Sequence, residues 1–235
     1  MEISGPEASR KYIEAGNPEH PSLLDHDYQM ASLFGVVNIP NIIWINEEGM
    51  IVRPAEPGWP GERTPIPKEM FEAIPKTGRA PNAPVRTTPP VDQMALLASG
   101  QDRAGYADAI RDWAEHGSAS KYVLTPAEVI ARSQPRPLDK SEGAAHFELA
   151  NHLWRAGSKD AAIAHFNACI RLQPENWTYK RQAWSLVGFD RSGGGDYSRW
   201  VQGPLVGEEA DWPFDSDFRS EVAMLEAGEY YPATL

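Results

Sequence analysis

The chain has one cysteine, Cys169, in 235 residues. A single thiol excludes an internal disulfide framework and fits a reducing, cytoplasmic compartment. Long apolar runs are missing as well: none approaches the roughly 18 residues that a membrane helix needs, and the first residues show no signal-peptide pattern. Positive charge is scarce, with 22 Lys and Arg against 33 Asp and Glu and a net charge of −11. That balance argues against nucleic acid, which calls for clustered Lys and Arg, and against an anionic membrane surface. Solubility is its simpler consequence. The six histidines form no His-x-x-x-His or Cys/His cluster, so no metal site is expected. His146 and His152 are not at i, i+4, and His20 and His26 read as loop residues beside Asp25 and Asp27. Ser192-Gly193-Gly194-Gly195-Asp196 does not join a strand to a helix with Lys following. It reads as a flexible turn rather than a phosphate loop, and no cofactor is expected.

What the chain does have is an ordinary globular composition, 41% hydrophobic and 23% charged, and a generous supply of Pro (21), Gly (19) and Trp (8). The length allows one large or two small domains. Residues 5–16 read as a helix, with Pro6 in the first turn and Gly16 at the stop. Pro21 to Asp25 is predicted as a short strand. Asp27 is placed as the cap of a helix from Tyr28 to Phe34, with Gly35 ending it. Two β-branched apolar runs follow, Ile42 to Ile45 and Met50 to Val52, around Asn46-Glu47-Glu48-Gly49. That pattern is a hairpin with Gly where a positive φ is wanted. The unbroken apolar run suits a strand covered on both faces. Pro40, which cannot donate to a ladder, stands at its mouth.

The order helix, strand, helix, Pro, strand, strand resembles the thioredoxin superfamily over about residues 1–55. Phe34-Gly35-Val36-Val37-Asn38-Ile39-Pro40-Asn41 and the hairpin after it are similar to the cis-proline segment of TlpA-like and peroxiredoxin-like redoxins. The resemblance implies a cis bond before Pro40 and a substrate-binding loop made of Asn38, Ile39 and Pro40. It also implies an active-site Cys-x-x-Cys upstream, which this sequence does not contain. The chain is therefore expected to begin inside the fold, with Met1 to Ser4 as the end of a strand, and a Cys or selenocysteine motif would lie before Met1. No catalytic residue is expected in the chain itself.

Residues 56–92 are expected to be a Pro-rich connector. Prolines recur from Pro54 to Pro90 with Gly58, Gly61 and Gly78 among them, which precludes long helices. A short helix near Lys68 to Ala73 interrupts it, and Trp59 pins it to the surface. Residues 93–235 read as helical. Tyr106, Ile110 and Trp113 make Ala104 to His116 amphipathic. Thr125-Pro126-Ala127-Glu128 is a capping box opening a helix to Arg132. Residues 141–174 resemble one tetratricopeptide-type helix hairpin, carried by Leu149, Ala150, Gly157, Ala162, Phe166 and Pro174. His146 and Leu153 stand where that repeat has Trp and Tyr. One repeat cannot bury its own apolar face, so the hairpin is expected to dock on Ala104 to His116 or on the redoxin-like part. Asn176 caps a further helix on which Trp177, Arg181 and Trp184 share a face, as interface anchors or as core. The aromatic tail carries a helix from Phe218 to Ala227 and packs back on the body.

The expected architecture is α/β plus α: an incomplete thioredoxin-like domain, the connector, and a helical region with one tetratricopeptide-like hairpin. Cys169 falls on that hairpin and reads as a buried small hydrophobe. Two functions stay open. One is redoxin-type thiol-disulfide or peroxide chemistry, implied by the resemblance, with a protein thiol or disulfide as partner. The other is a non-catalytic module that holds a peptide through the Pro40 loop edge or the helix hairpin. A sheet edge left unpaired also invites a homodimer.

Overall fold

The computed structural model describes residues 6–25, 27–59, 61, 69, 72, 75–85, 102–193 and 200–235. These residues form a mixed, mostly helical fold with one two-stranded antiparallel sheet. The elements are α1 (Pro6–Gly16), α2 (Gln29–Phe34), β1 (Asn41–Ile45), β2 (Ile51–Pro57), α3 (Arg103–His116), α4 (Pro126–Arg132), α5 (Leu138–Arg155), α6 (Lys159–Leu172), α7 (Trp177–Arg191) and α8 (Phe218–Val222). No helix among the described residues is long and apolar enough to cross a membrane.

The hairpin and α3 share a small core. Trp44 is buried, stacked on Trp113 at 4.7 Å between ring centres and edge-on to Tyr106 at 6.2 Å. Beneath them lies a buried ion pair, Arg53 Nε to Glu56 Oε1 at 2.7 Å and Arg53 Nη2 to Glu56 Oε2 at 2.8 Å. The Tyr106 hydroxyl donates to Glu56 Oε1 at 2.9 Å and accepts from Trp44 Nε1 at 3.1 Å. The polar atoms brought into this core are thus paired with one another.

β2 runs past Pro54 and takes in two prolines, longer than the Met50–Val52 run predicted. The register explains how. Trp44 faces Arg53 and Ile42 faces Glu56, so Ile43 alone stands opposite Pro54 and Ala55. This bulge removes Pro54 from the ladder, where its missing N–H costs nothing. The strand covered on both faces is not found. Ile45 is exposed, and among the described residues β1 has a neighbouring strand on one side only.

The larger core joins α5, α6 and α7. Ala150, Ala162 and Cys169 are fully buried, and these small residues let the helices approach closely. Gly157, at φ 83, makes the turn between α5 and α6. Phe147 stacks on Tyr179 at 3.9 Å. Tyr28 and Ala31 from α2, and Ala80 and Ala83 from the Pro-rich segment, enter the same core. The α5–α6 hairpin therefore docks on α7 and on the N-terminal part through Tyr28 and α2, while α3 belongs to the other core.

Three local expectations are corrected. Pro21 to Asp25 is not a strand: the segment has no regular structure and is largely exposed, with no strand beside it among the described residues. Asp25, rather than Asp27, caps α2, accepting from the Ala31 N–H at 3.0 Å; Asp27 instead pairs with Arg155 at 3.1 Å. Tyr28 sits in the left-handed region at φ 58, so the helix begins one residue late. The tail helix stops at Val222, and Gly228 at φ 84 marks a separate turn. Of the predicted helix at 68–73 only Glu69 and Glu72 are described, both helical; the rest of it, most of the Ser192 to Asp196 turn and Met1 to Ser4 lie outside the described residues.

Candidate functional site

The loop Asn38-Ile39-Pro40 leads directly into β1, and its Ile39–Pro40 peptide bond is cis. Asn38 is buried and organises the turn. Its Nδ2 donates to the Tyr230 carbonyl at 2.9 Å, and its Oδ1 accepts from the Ile39 N–H at 2.9 Å. The Ile39 carbonyl accepts from the Tyr231 hydroxyl at 2.6 Å. Both backbone groups of Ile39 are thus occupied within the chain. The Ile39 side chain remains 42% exposed.

Two cavities flank this loop. One, of about 530 Å³, lies between the loop and α7. Asn38 and Ile39 form part of its wall, with Tyr12 and Ile13 from α1, Leu24, Tyr28 and Trp200. From α7 come Thr178, Arg181, Gln182 and Ser185, spaced as one helical stripe. The other, of about 690 Å³, lies on the far side, where Asn38, Asn41, Trp177, Lys180 and Tyr230 are among its lining residues.

The cations of the two cavities differ. Lys180 is spent on Glu221 and also lies 4.5 Å from the centre of the Trp177 ring. Arg181 has no carboxylate within reach among the described residues. Its contacts are the Tyr230 hydroxyl at 3.4 Å and the face of Phe218 at 5.4 Å. One turn earlier the Thr178 hydroxyl, on a residue only 6% exposed, has no hydrogen-bond partner among the described residues. Gln182 is committed, accepting from the Tyr28 hydroxyl and donating to Asn151.

Cys169 is far from being a nucleophile. It is fully buried between helices, and burial pushes its thiol up to about 12. His165, one turn before it, turns instead to His146, their Nδ1 atoms 2.7 Å apart. Sequence spacing gave no sign of that pair, because the two rings come from different helices. Among the described residues no three His, Cys, Asp or Glu converge as a metal site.

Sequence reasoning put Trp177, Arg181 and Trp184 on one face. The structure sends both tryptophans into the core and leaves Arg181, half-buried, at the cavity. The signal overlooked was the stripe Thr178, Gln182, Ser185 (i, i+4, i+7), a polar line along a helix with apolar neighbours. No family model matches the chain, nor does any curated protein or solved structure.

Proposed function

We propose that the chain is a thioredoxin-like binding module that holds an extended segment of a protein partner along β1 and the Pro40 loop, without thiol chemistry of its own. One observation carries this reading: among the described residues the outer edge of β1 is unpaired, and it opens directly from the Pro40 loop. Asn46, just past the strand, turns its N–H toward Met50 at 3.0 Å. Alternation along the strand then turns the backbone groups of Ile43 and Ile45 away from β2. Neither residue has a backbone partner on that side among the described residues. Such an edge is a template for one more strand, and exposed Ile39 offers an apolar contact at its start. The helix hairpin is the weaker alternative, since α7 and Tyr28 fill the face it would use. Redoxin-type exchange would need a thiolate, and the buried Cys169 does not supply one.

The test is selection of displayed peptides against the full chain, followed by Kd measurement on variants. Ile43→Pro removes the outward N–H, and Ile39→Asp puts a charge at the apolar contact. Each is expected to weaken a selected extended peptide at least ten-fold, while Leu138→Asp, remote and exposed, leaves it unchanged. Peptides indifferent to both substitutions would discard the edge. Turnover of insulin disulfides or peroxide above a buffer blank would discard the non-catalytic part.

A further inference from the structure

We propose that the cavity between the Pro40 loop and α7 binds an organic carboxylate with an apolar body, and that the Arg181 guanidinium is its anion partner. This goes beyond the edge-strand reading and does not depend on it, because the residues that carry it lie on α7.

The first observation is an unpaired cation in an acidic chain. Four other cations around the helical core find acids: Arg155 has Asp27, Lys159 has Asp190, Lys180 has Glu221 and Arg191 has Glu208, while Arg136 is held by Ser32. Among the described residues Arg181 has only a phenol and a ring face. With 33 acidic residues against 22 basic ones, a guanidinium left without an acid at a cavity wall is a site kept for an anion from outside. Its planar fork of donors matches a carboxylate, and such charge-assisted hydrogen bonds are the strong ones.

The second observation is independent of charge. Thr178 lines the same cavity, and its hydroxyl is buried with no partner among the described residues. A buried hydroxyl without a partner is costly, and a turn about the Thr178 χ1 toward the cavity would bring it to a ligand oxygen held by Arg181. Both residues belong to the first half of the 15-residue α7, near the end where the backbone dipoles favour negative charge. One guanidinium and one hydroxyl suit a monoanion, and among the described residues no second cation joins them on this wall.

The rest of the ligand follows from the opposite wall. Tyr12, Ile13, Leu24 and Ile39 present apolar surface there, and about 530 Å³ lies within the range of small-ligand sites. Two sources share this chemistry: a free organic acid, and the C-terminal carboxylate of a peptide entering past Ile39.

Calorimetry on the full chain tests the proposal with matched acid and amide probes. 3-Phenylpropionate and 3-phenylpropionamide stand for the free acid; N-acetyl-Leu-Phe and its C-terminal amide stand for the peptide end. At least one acid is expected to bind ten-fold or more tightly than its amide, and the tighter of the two acids names the source. Arg181→Met is expected to erase the acid preference, and Thr178→Val to weaken the acid a few-fold. Should Arg181→Met fail to fold, Arg181→Lys and the acid–amide comparison on the unaltered chain decide. Equal binding of acid and amide, no binding of either acid, or a preference that survives a folded Arg181→Met overturns the proposal. Ile43→Pro should leave acid binding unchanged, so failure here and failure of the edge-strand reading are told apart.

Discussion

The Tyr231 hydroxyl donates to the Ile39 carbonyl across 2.6 Å, joining residues 192 positions apart in the chain. It does not act alone. The Tyr230 carbonyl accepts from Asn38, the Thr234 carbonyl accepts from Arg53 at 3.0 Å, and the Thr234 hydroxyl donates to the Pro57 carbonyl at 3.2 Å. The last residues thus strap the Pro40 loop and the hairpin to the helical body. Burial of the Tyr231 phenol, helped by Tyr230 beside it, holds its proton to well above the ordinary tyrosine range. It therefore stays a donor through neutral pH.

Tyr231→Phe keeps the ring and deletes the donor. The Ile39 carbonyl then loses its partner, at a cost of about 1 kcal/mol. Urea unfolding should show a lowered midpoint with an unchanged slope. A midpoint within error of the parent would mean that the strap adds nothing to stability.

Cys169 should be silent in the native protein. Ellman's reagent at pH 8 is expected to find no thiol until denaturant is added, and one thiol afterwards. The same burial predicts alkaline weakening. The thiol is raised from 9.0 to about 12, so the unfolded chain loses its proton first. The stabilisation is complete below about pH 9 and is lost as pH climbs through the folded value. The slope is at most about 1.4 kcal/mol per pH unit for this one group. Cys169→Ala should flatten the fall between pH 9 and 10, before Tyr106 and Tyr231, raised from 10.0 by their own burial, begin to act with the same sign.

The parts legible in sequence were those that local chemistry decides. The capping box at Thr125 and Glu128 formed complete, Asn176 caps α7 through the Tyr179 N–H at 3.1 Å, and Gly35 and Gly157 end their helices at positive φ. What failed depended on partners distant in the chain. Pro21 to Asp25 had strand-like residues but needs a neighbouring strand to be one. Pro54 looked like a strand end until the bulge opposite Ile43 gave it a place. Asn38 and Ile39 were singled out by resemblance, yet nothing local tied them to Tyr230 and Tyr231. Arg181 was seen as an anchor; that it would meet an unpartnered Thr178 at a cavity wall depends on α1 and the loop closing the other side.

The Arg53–Glu56 pair should be among the most sensitive points of the fold. Arg53 also donates to the Tyr122 carbonyl at 2.7 Å, so its guanidinium is fixed by three segments and cannot follow a lost partner into water. Glu56→Ala leaves that cation buried without its acid and the Tyr106 hydroxyl without its acceptor. A loss of about 3–5 kcal/mol is expected. Glu56→Gln, which keeps an acceptor for Tyr106, should cost clearly less. Chemical denaturation of the two variants orders them, and equal costs would show that the charge of Glu56 contributes little.

His146 and His165 make the sharpest spectroscopic prediction. Their Nδ1 atoms stand 2.7 Å apart with ring centres at 5.0 Å, so the two nitrogens face each other nearly head-on. That spacing holds one proton: one ring must donate its Nδ1–H and the other must accept. In the neutral pair one histidine is therefore protonated at Nδ1 and the other at Nε2, and long-range proton–nitrogen correlation spectra should show one of each. Glu142 lies 3.9 Å from His146 Nε2 and favours a proton there, which makes His165 the donor to the His146 Nδ1 atom. His165→Leu removes the donor and should cost about 1 kcal/mol, while the His146 signal keeps its Nε2 proton. Two rings of the same tautomer in the parent spectrum would mean that the pair is not hydrogen-bonded in solution.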